Sequence, residues 1–285
     1  MSKGVTGRIR INHFEDIIGE VKDGVTEVEL SKLYEFENHP FRVLDDEKMT
    51  ETVESIQKYG VLMPGIVRTR KQGGYEIISG HRRKRACELA GLNKMPVFIR
   101  DYTDDEAVVI MVDSNIQREE LLPSEKAYAY AMKYKALKHQ GKKEGTITLE
   151  GMAEKAGESS KTIQRYIWLS RLNKTLLEAV DEGKLSIVSG VDLSFLKEEE
   201  QGWVEEIYSM GLSVSTIQAA QLKQSSQKGE LNEARVRQIF SVVKNKPGKI
   251  SIKTEKLRKY FDESVSEEEM EETILKALDA YMAQK

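Results

Sequence analysis

The 285-residue sequence predicts an α+β domain, then an all-α domain, then a small C-terminal module. Three observations predict it. Short β-branched runs alternate with helix-period segments between residues 26 and about 120. From Pro123 onward the period is almost purely helical. The stretch "NKPGK", residues 245–249, then has the composition of a linker before one last amphipathic segment. A chain of this length is long for one compact core and fits two or three.

The elements follow in order. Residues 1–25 carry glycines and mixed charge without a sustained period and read as a flexible lead-in. "VTEVELSKLYEF", residues 25–36, alternates apolar and polar and predicts one strand. "DDEKMTETVESIQKYG" has acidic residues early, Met49, Val53 and Ile56 at helical spacing and Gly60 at the C-cap position, so it predicts a helix. "MPGIVRTR" and "GYEIISG" read as two strands joined by the turn "KQGG". "HRRKRACELAGL" predicts a helix closing at Gly91, and "KMPVFIRDY" a further strand. Thr103 is the expected N-cap of the helix in "TDDEAVVIMVDSNIQRE", with three acidic residues in its first turn. Ser124, just after Pro123, is the expected N-cap of the long helix in "LLPSEKAYAYAMKYKALKHQ".

Beyond a break at "GKKEGTI", the stretch "TLEGMAEKAGESSKTIQRYIWLSRL", residues 148–172, has a short helix, a glycine-containing turn and a second helix. That is the length and punctuation of a helix-turn-helix. Its second helix is expected to start near Ser160. This places Lys161, Thr162, Gln164 and Arg165 where base edges and phosphates are met, with Ile163, Ile167 and Leu169 inward. Glutamine can pair adenine and arginine guanine in the major groove. Ser159 and Ser160 can cap the helix, contact phosphate, or both. The expected domain limits are 26–122, 123–244 and 250–285.

Composition removes several classes of function. No apolar run approaches a membrane-spanning length and the N-terminus lacks a signal-peptide core, so a soluble, cytoplasmic protein without a membrane partner is expected. The single cysteine, Cys87, rules out an internal disulfide and a cysteine-built zinc site. The net charge of −3 makes the chain no polycation, and binding to a polyanion has to come from clustered charge. Residues 66–100 supply the cluster, with nine cations against Glu76 and Glu88.

At the centre of that cluster stands "SGHRRKR". Gly80 at a strand end permits close backbone approach, and the helix that follows offers unpaired N–H groups and the positive end of its dipole. Arg82, Arg83 and Arg85 add guanidinium forks suited to phosphate oxygens. The pattern fits a triphosphate, a DNA backbone or a solvated basic helix face, and does not by itself separate them.

The segments "NHPFRVLDDEKMTETVESIQKYGVLMPGIVR", "GYEIISGHRRKRACELAGL" and "DSNIQREELLPSEKAYAY", in this order and spacing and followed by the helix-turn-helix, resemble the ParB-type chromosome and plasmid partition proteins. The resemblance covers about residues 26–175. It implies a ParB-like N-terminal domain that binds CTP and a helix-turn-helix that binds a centromere-like site. In that family a dimer closes on DNA as a sliding clamp and works with a ParA-type ATPase. The family phosphate motif GERRxR is matched at Gly80, Arg82, Arg83 and Arg85, with His81 in place of glutamate. A second motif, ENxQR, is matched at Asn115, Gln117 and Arg118, with Ser114 in place of glutamate. Arg68 falls on the family's VR strand end, and His39, Pro40, Phe41 and Arg42 lie on the segment that normally reads NPxQ.

The resemblance therefore implies a CTP site at Arg68, Gly80, His81, Arg82, Arg83, Arg85, Ser114, Asn115 and Arg118, with Asn115 the candidate oxygen ligand for Mg2+. Two expected carboxylates are missing, at His81 and Ser114, so slow or absent hydrolysis is expected. His81 itself reads equally as a core histidine or a phosphate contact. Helix-turn-helix proteins usually read inverted repeats as dimers, and the amphipathic segment 267–283, with Met270, Ile274, Leu275 and Leu278 on one stripe, is the expected homodimer contact. A transcription regulator on the same scaffold is the alternative. A nuclease or phosphotransferase is disfavoured by the lack of a cysteine beside Gly80 and of clustered metal ligands.

Overall fold

The computed structural model describes residues 24–118, 120–139, 149–241, 257, 259–262 and 265–283. Residues 1–23 of the expected lead-in and the expected linker 245–249 lie outside the described residues. Contacts divide the chain into two compact units, Met1–Phe240 and Ser241–Lys285.

The first unit begins with a five-stranded mixed sheet. Its strands are β1 (Thr26–Glu29), β2 (Leu33–Tyr34), β3 (Gly65–Thr69), β4 (Tyr75–Ser79) and β5 (Lys94–Arg100), in the order β1-β5-β3-β4-β2. The single strand expected over 25–36 is thus two short ones, separated by a 3-10 turn at Leu30–Lys32 and placed at opposite edges of the sheet. Val28 and Leu30 are buried at strand spacing, and the next buried residue, Leu33, comes three positions on, so the period slips by one where the 3-10 turn intervenes. Four inter-strand spacings of a flat sheet amount to roughly 19 Å, whereas a three-residue 3-10 turn advances only about 6 Å. The sheet must therefore curl until its edges approach.

The central strands are buried on both faces. On one face Val67 and Ile77 pack with Met49 and Ile56 of α1 (Glu47–Tyr59) and Ala86 and Cys87 of α2 (His81–Leu89). On the other, Ile66 and Ile78 pack with Ile110 and Met111 of α3 (Asp104–Asp113) and Ala129 of α4 (Pro123–His139). Neighbouring residues of one strand point to opposite faces, so the pairs Ile66–Val67 and Ile77–Ile78 each serve two cores.

Helix termini follow local chemistry. Asp46 caps α1, its carboxylate accepting from the Met49 amide, and Gly60 closes it at φ 73°. Thr103 and Glu106 form a reciprocal capping box on α3. The expected cap at Ser124 is corrected. The helix starts at Pro123, whose missing N–H costs nothing in the first turn, and Glu125 accepts from the Leu122 amide. Ser124 instead donates through both its amide and its hydroxyl to Asp181.

The helix-turn-helix is formed by α5 (Leu149–Ala156) and α6 (Ser160–Leu169), with Gly157 at φ 67° in the turn. Five more helices complete the first unit: α7 (Lys174–Asp181), α8 (Ile187–Leu193), α9 (Glu198–Ser209), α10 (Thr216–Gln227) and α11 (Glu233–Ser241), whose last residue already belongs to the second unit. Helix α4 binds these parts together. Ala127 enters the core of the late helices, Ala129 the core beneath the sheet, and Tyr130 the core of the helix-turn-helix beside Met152, Ile163 and Ile167. A helix buried on several sides needs small residues where backbones approach, and its apolar positions spread around the axis.

The second unit contains α12 (Glu267–Ala283), matching the expected amphipathic segment. Leu275, Leu278, Tyr281 and Met282 are exposed on it. Among the described residues no helix is long and apolar enough to cross a membrane.

Candidate nucleotide and nucleic-acid interfaces

The arginine corner begins where β4 ends. Gly80 sits at φ 118°, outside the range open to other L-residues. A Cβ there would lie 3.2 Å from the Gly65 backbone and 3.5 Å from the Arg83 guanidinium. Helix α2 starts directly after it, so the first amides of the helix have no partner within the helix.

The four cations of "RRKR" have different surroundings. Arg82 donates to Asp46 Oδ1 at 3.0 Å. Arg83 turns inward, and its Nη1 donates to the carbonyls of Met63 and Pro64 at 2.6 and 2.5 Å. Its burial pushes the guanidinium pKa down. Lys84 pairs with Glu88 at 3.2 Å. Arg85 forks onto Asp45, through Nε at 3.1 Å and Nη2 at 2.6 Å.

Arg82 and Arg118 come together on an open cleft of about 660 Å³ that Arg42, Lys48, Asp46 and Glu125 also line. Arg118 makes no ion pair among the described residues, and burial first, the Arg82 charge second, disfavours its cationic form. Two guanidinium groups facing one cleft, one of them without an ion pair among the described residues, form an anion-seeking arrangement. A smaller recess of about 310 Å³ lies along α2, lined by His81, Lys84, Arg85, Glu35, Val43 and Glu88.

His81 is buried and stacks on His39 with ring centroids 3.8 Å apart. Its Nε2 accepts from the Phe36 amide at 3.4 Å. Burial, then the charges around it, pushes its pKa down to about 3, so the ring is neutral at physiological pH. Ser114 donates to the Met111 carbonyl at 3.0 Å, and the buried Asn115 donates through Nδ2 to the same carbonyl at 2.8 Å. Arg68 stands apart, committed through Nε and Nη2 to Glu76 and through Nη1 to Asp104, each at 2.6 Å. Asp45 and Asp46 carry no weight in a sequence reading because they mark a helix start, and their arginine partners lie 40 and 36 positions away.

Helix α6 has the expected polarity. Ser159 caps α6, its Oγ accepting from the Thr162 amide at 3.1 Å. Ile163, Ile167 and Leu169 are buried, while Lys161 and Arg165 are exposed and Ser160, Thr162 and Gln164 half-buried. Lys161, Gln164 and Arg165 share one stripe at helical spacing.

Comparison with known proteins decides the lineage. A family model described as the ParB N-terminal domain matches residues 16–116, and one described as the ParB HTH domain matches residues 119–227. The chain belongs to the ParB family.

Named relatives agree with that placement. The chain is 32% identical over 206 residues to the chromosome-partitioning protein Spo0J of Thermus thermophilus, covering 72% of this chain and 73% of that one. It is 36% identical over 196 residues to a probable chromosome 1-partitioning protein ParB of Deinococcus radiodurans, covering 68% of this chain and 65% of that protein's length. A nucleoid occlusion protein of Listeria innocua is 32% identical over 234 residues, covering 82% of this chain and 75% of that one. Among solved structures, C-terminally truncated ParB from Caulobacter crescentus complexed to the centromeric parS site aligns over 71% of this chain and 99% of that one, at 23% identity and TM-score 0.41. The two family models thus span the α+β domain and the helix-turn-helix.

Proposed function

We propose that this chain is a DNA-binding partition protein that takes CTP at the arginine corner and reads a centromere-like inverted repeat with α6. The observation that carries the reading is the convergence of Arg82 and Arg118 on one cleft beside a glycine-led helix start, in the same compact unit as the helix-turn-helix. Triphosphate oxygens meet Arg82, Arg118 and the first amides of α2, and Gly80 leaves room for them where a side chain would intrude. Arg83 holds the loop at Met63–Pro64, and Arg68 fixes the ends of β3 and α3. Both are positioning residues in this reading.

Asn115 spends its amide hydrogens on Met111 and Ser114. Its carbonyl oxygen is the protein ligand we assign to Mg2+, which commonly keeps waters and phosphate oxygens as its other ligands. With His81 neutral and Ser114 turned to a backbone carbonyl, neither supplies a carboxylate to orient an attacking water, and hydrolysis of CTP is slow or absent. Lys161, Thr162, Gln164 and Arg165 read the DNA, and Ser159 and Ser160 fix the helix start against the backbone. The protein acts as a cytoplasmic homodimer joined through residues 267–283, with a ParA-type ATPase as its partner.

Calorimetry tests this reading, with CTP, ATP, GTP and UTP titrated into wild type and Arg82→Ala, with and without DNA carrying the inverted repeat. Magnesium-dependent binding of CTP alone, lost in the variant, is expected. Absence of binding by any nucleotide even with cognate DNA refutes it.

A further inference from the structure

Two carboxylates occupy the arginine corner. Asp45 engages Arg85 with both oxygens, Oδ1 to Nε at 3.1 Å and Oδ2 to Nη2 at 2.6 Å. Asp46 engages Arg82 Nη2 with Oδ1 at 3.0 Å. The paired-fork contact at Arg85 is the arrangement by which a guanidinium also holds two phosphate oxygens. Asp45 and Asp46 are adjacent, as are successive phosphates of a polyphosphate, and their partners lie on the first turns of one helix.

We infer that Asp45 and Asp46 are a built-in anionic plug that occupies Arg85 and Arg82 until phosphate oxygens displace it. The inference rests on the reading of the corner as a polyphosphate site.

Both contacts are suited to exchange. The side chains of Asp45 and Arg85 are 50% and 40% exposed, and those of Asp46 and Arg82 38% and 24%. Ion pairs so open to water are weak and quickly remade. The arginines hold both carboxyl groups below their ordinary pKa, so the plug stays charged at physiological pH. A polyanion entering the corner meets these negative charges as well as the cations, and the aspartates must withdraw for the arginines to turn to it.

The two aspartates differ in a second duty. Asp46 Oδ1 also accepts from the Met49 amide at 2.8 Å as the cap of α1, and Asp45 caps nothing. Displacement of Asp46 from Arg82 therefore acts on the start of α1, whereas displacement of Asp45 frees only a side chain. The plug links occupancy of the corner to the position of the segment 42–46, which also carries Arg42 to the cleft.

Asp45→Asn and Asp46→Asn test the inference in the full chain. Each removes one charge, and asparagine caps a helix as well as aspartate does, so thermal midpoints near wild type verify folding. Sodium tripolyphosphate and CTP are each titrated calorimetrically. Both variants are expected to bind tripolyphosphate about fivefold more tightly than wild type, and CTP more tightly by a similar factor. Unchanged or weaker binding in both variants, or no binding of tripolyphosphate by any form, overturns the plug. If CTP binds wild type but neither variant tightens, the plug fails and the nucleotide reading stands. If both variants tighten for tripolyphosphate while CTP is bound no better than other nucleotides, the plug stands and the CTP reading fails.

Discussion

Gln117 donates through Nε2 to the backbone carbonyl of Lys155 at 2.9 Å. The donor follows α3 and belongs to the stretch that also carries Asn115 and Arg118. The acceptor lies in the last turn of α5, the first helix of the helix-turn-helix. One exposed hydrogen bond thus joins the proposed nucleotide site to the helix-turn-helix. A bond of this kind contributes about 1 kcal/mol, enough to bias two arrangements several-fold and too little to hold the fold. Gln117→Ala is expected to keep its thermal midpoint within a few degrees and its CTP affinity within threefold. The factor by which CTP changes DNA affinity should fall toward one, as read by fluorescence anisotropy with and without nucleotide.

Lys133 of α4 is buried and paired with Asp113 of α3. Burial pushes the ammonium pKa down while Asp113 opposes the shift. Replacing the lysine leaves a carboxylate facing a low-dielectric interior without its partner. Lys133→Met is expected to destabilise the chain by about 3 kcal/mol, and Lys133→Met with Asp113→Leu to recover most of that loss. Urea unfolding of the three proteins measures both.

His81 makes stability depend on pH in a definite direction. Its folded pKa, about 3, lies below the ordinary histidine value, so below about pH 6.5 the unfolded chain takes up a proton that the folded chain refuses. This contribution is complete above pH 6.5 and is lost progressively as pH falls toward 3. By pH 5 the loss amounts to about 2 kcal/mol. His81→Gln, which keeps an acceptor for the Phe36 amide, is expected to flatten the loss between pH 6.5 and 5 in denaturant titrations.

In the proposed DNA contact Lys161 meets phosphate and Arg165 a base edge. Lys161→Ala is expected to weaken binding to specific and non-specific DNA alike and to reduce the salt slope by about one ion. Arg165→Ala is expected to cost about 1–3 kcal/mol on the cognate repeat and less on scrambled DNA. Anisotropy titrations at several salt concentrations distinguish the two, and equal losses on both DNAs for Arg165 would remove it from base recognition.

The amino-acid sequence by itself determined what acts within about four residues. The Thr103 and Ser159 caps, the glycine turns at Gly60 and Gly157, the buried stripe Ile163–Ile167 and the glycine-led arginine run are all legible there, because capping, backbone freedom and helical period are local physics. Tertiary closure decided the rest. It broke the strand at Leu30 and sent its halves to opposite edges of a curled sheet, moved the start of α4 to Pro123 so that Ser124 could meet Asp181, and buried one helix in three cores. It also gave each arginine of one short run its own surroundings, a carboxylate for Arg82, two carbonyls for Arg83 and a bidentate aspartate for Arg85. Those partners lie 19 to 40 positions away, and neither charge nor period at one position specifies which distant group the folded chain will place beside it.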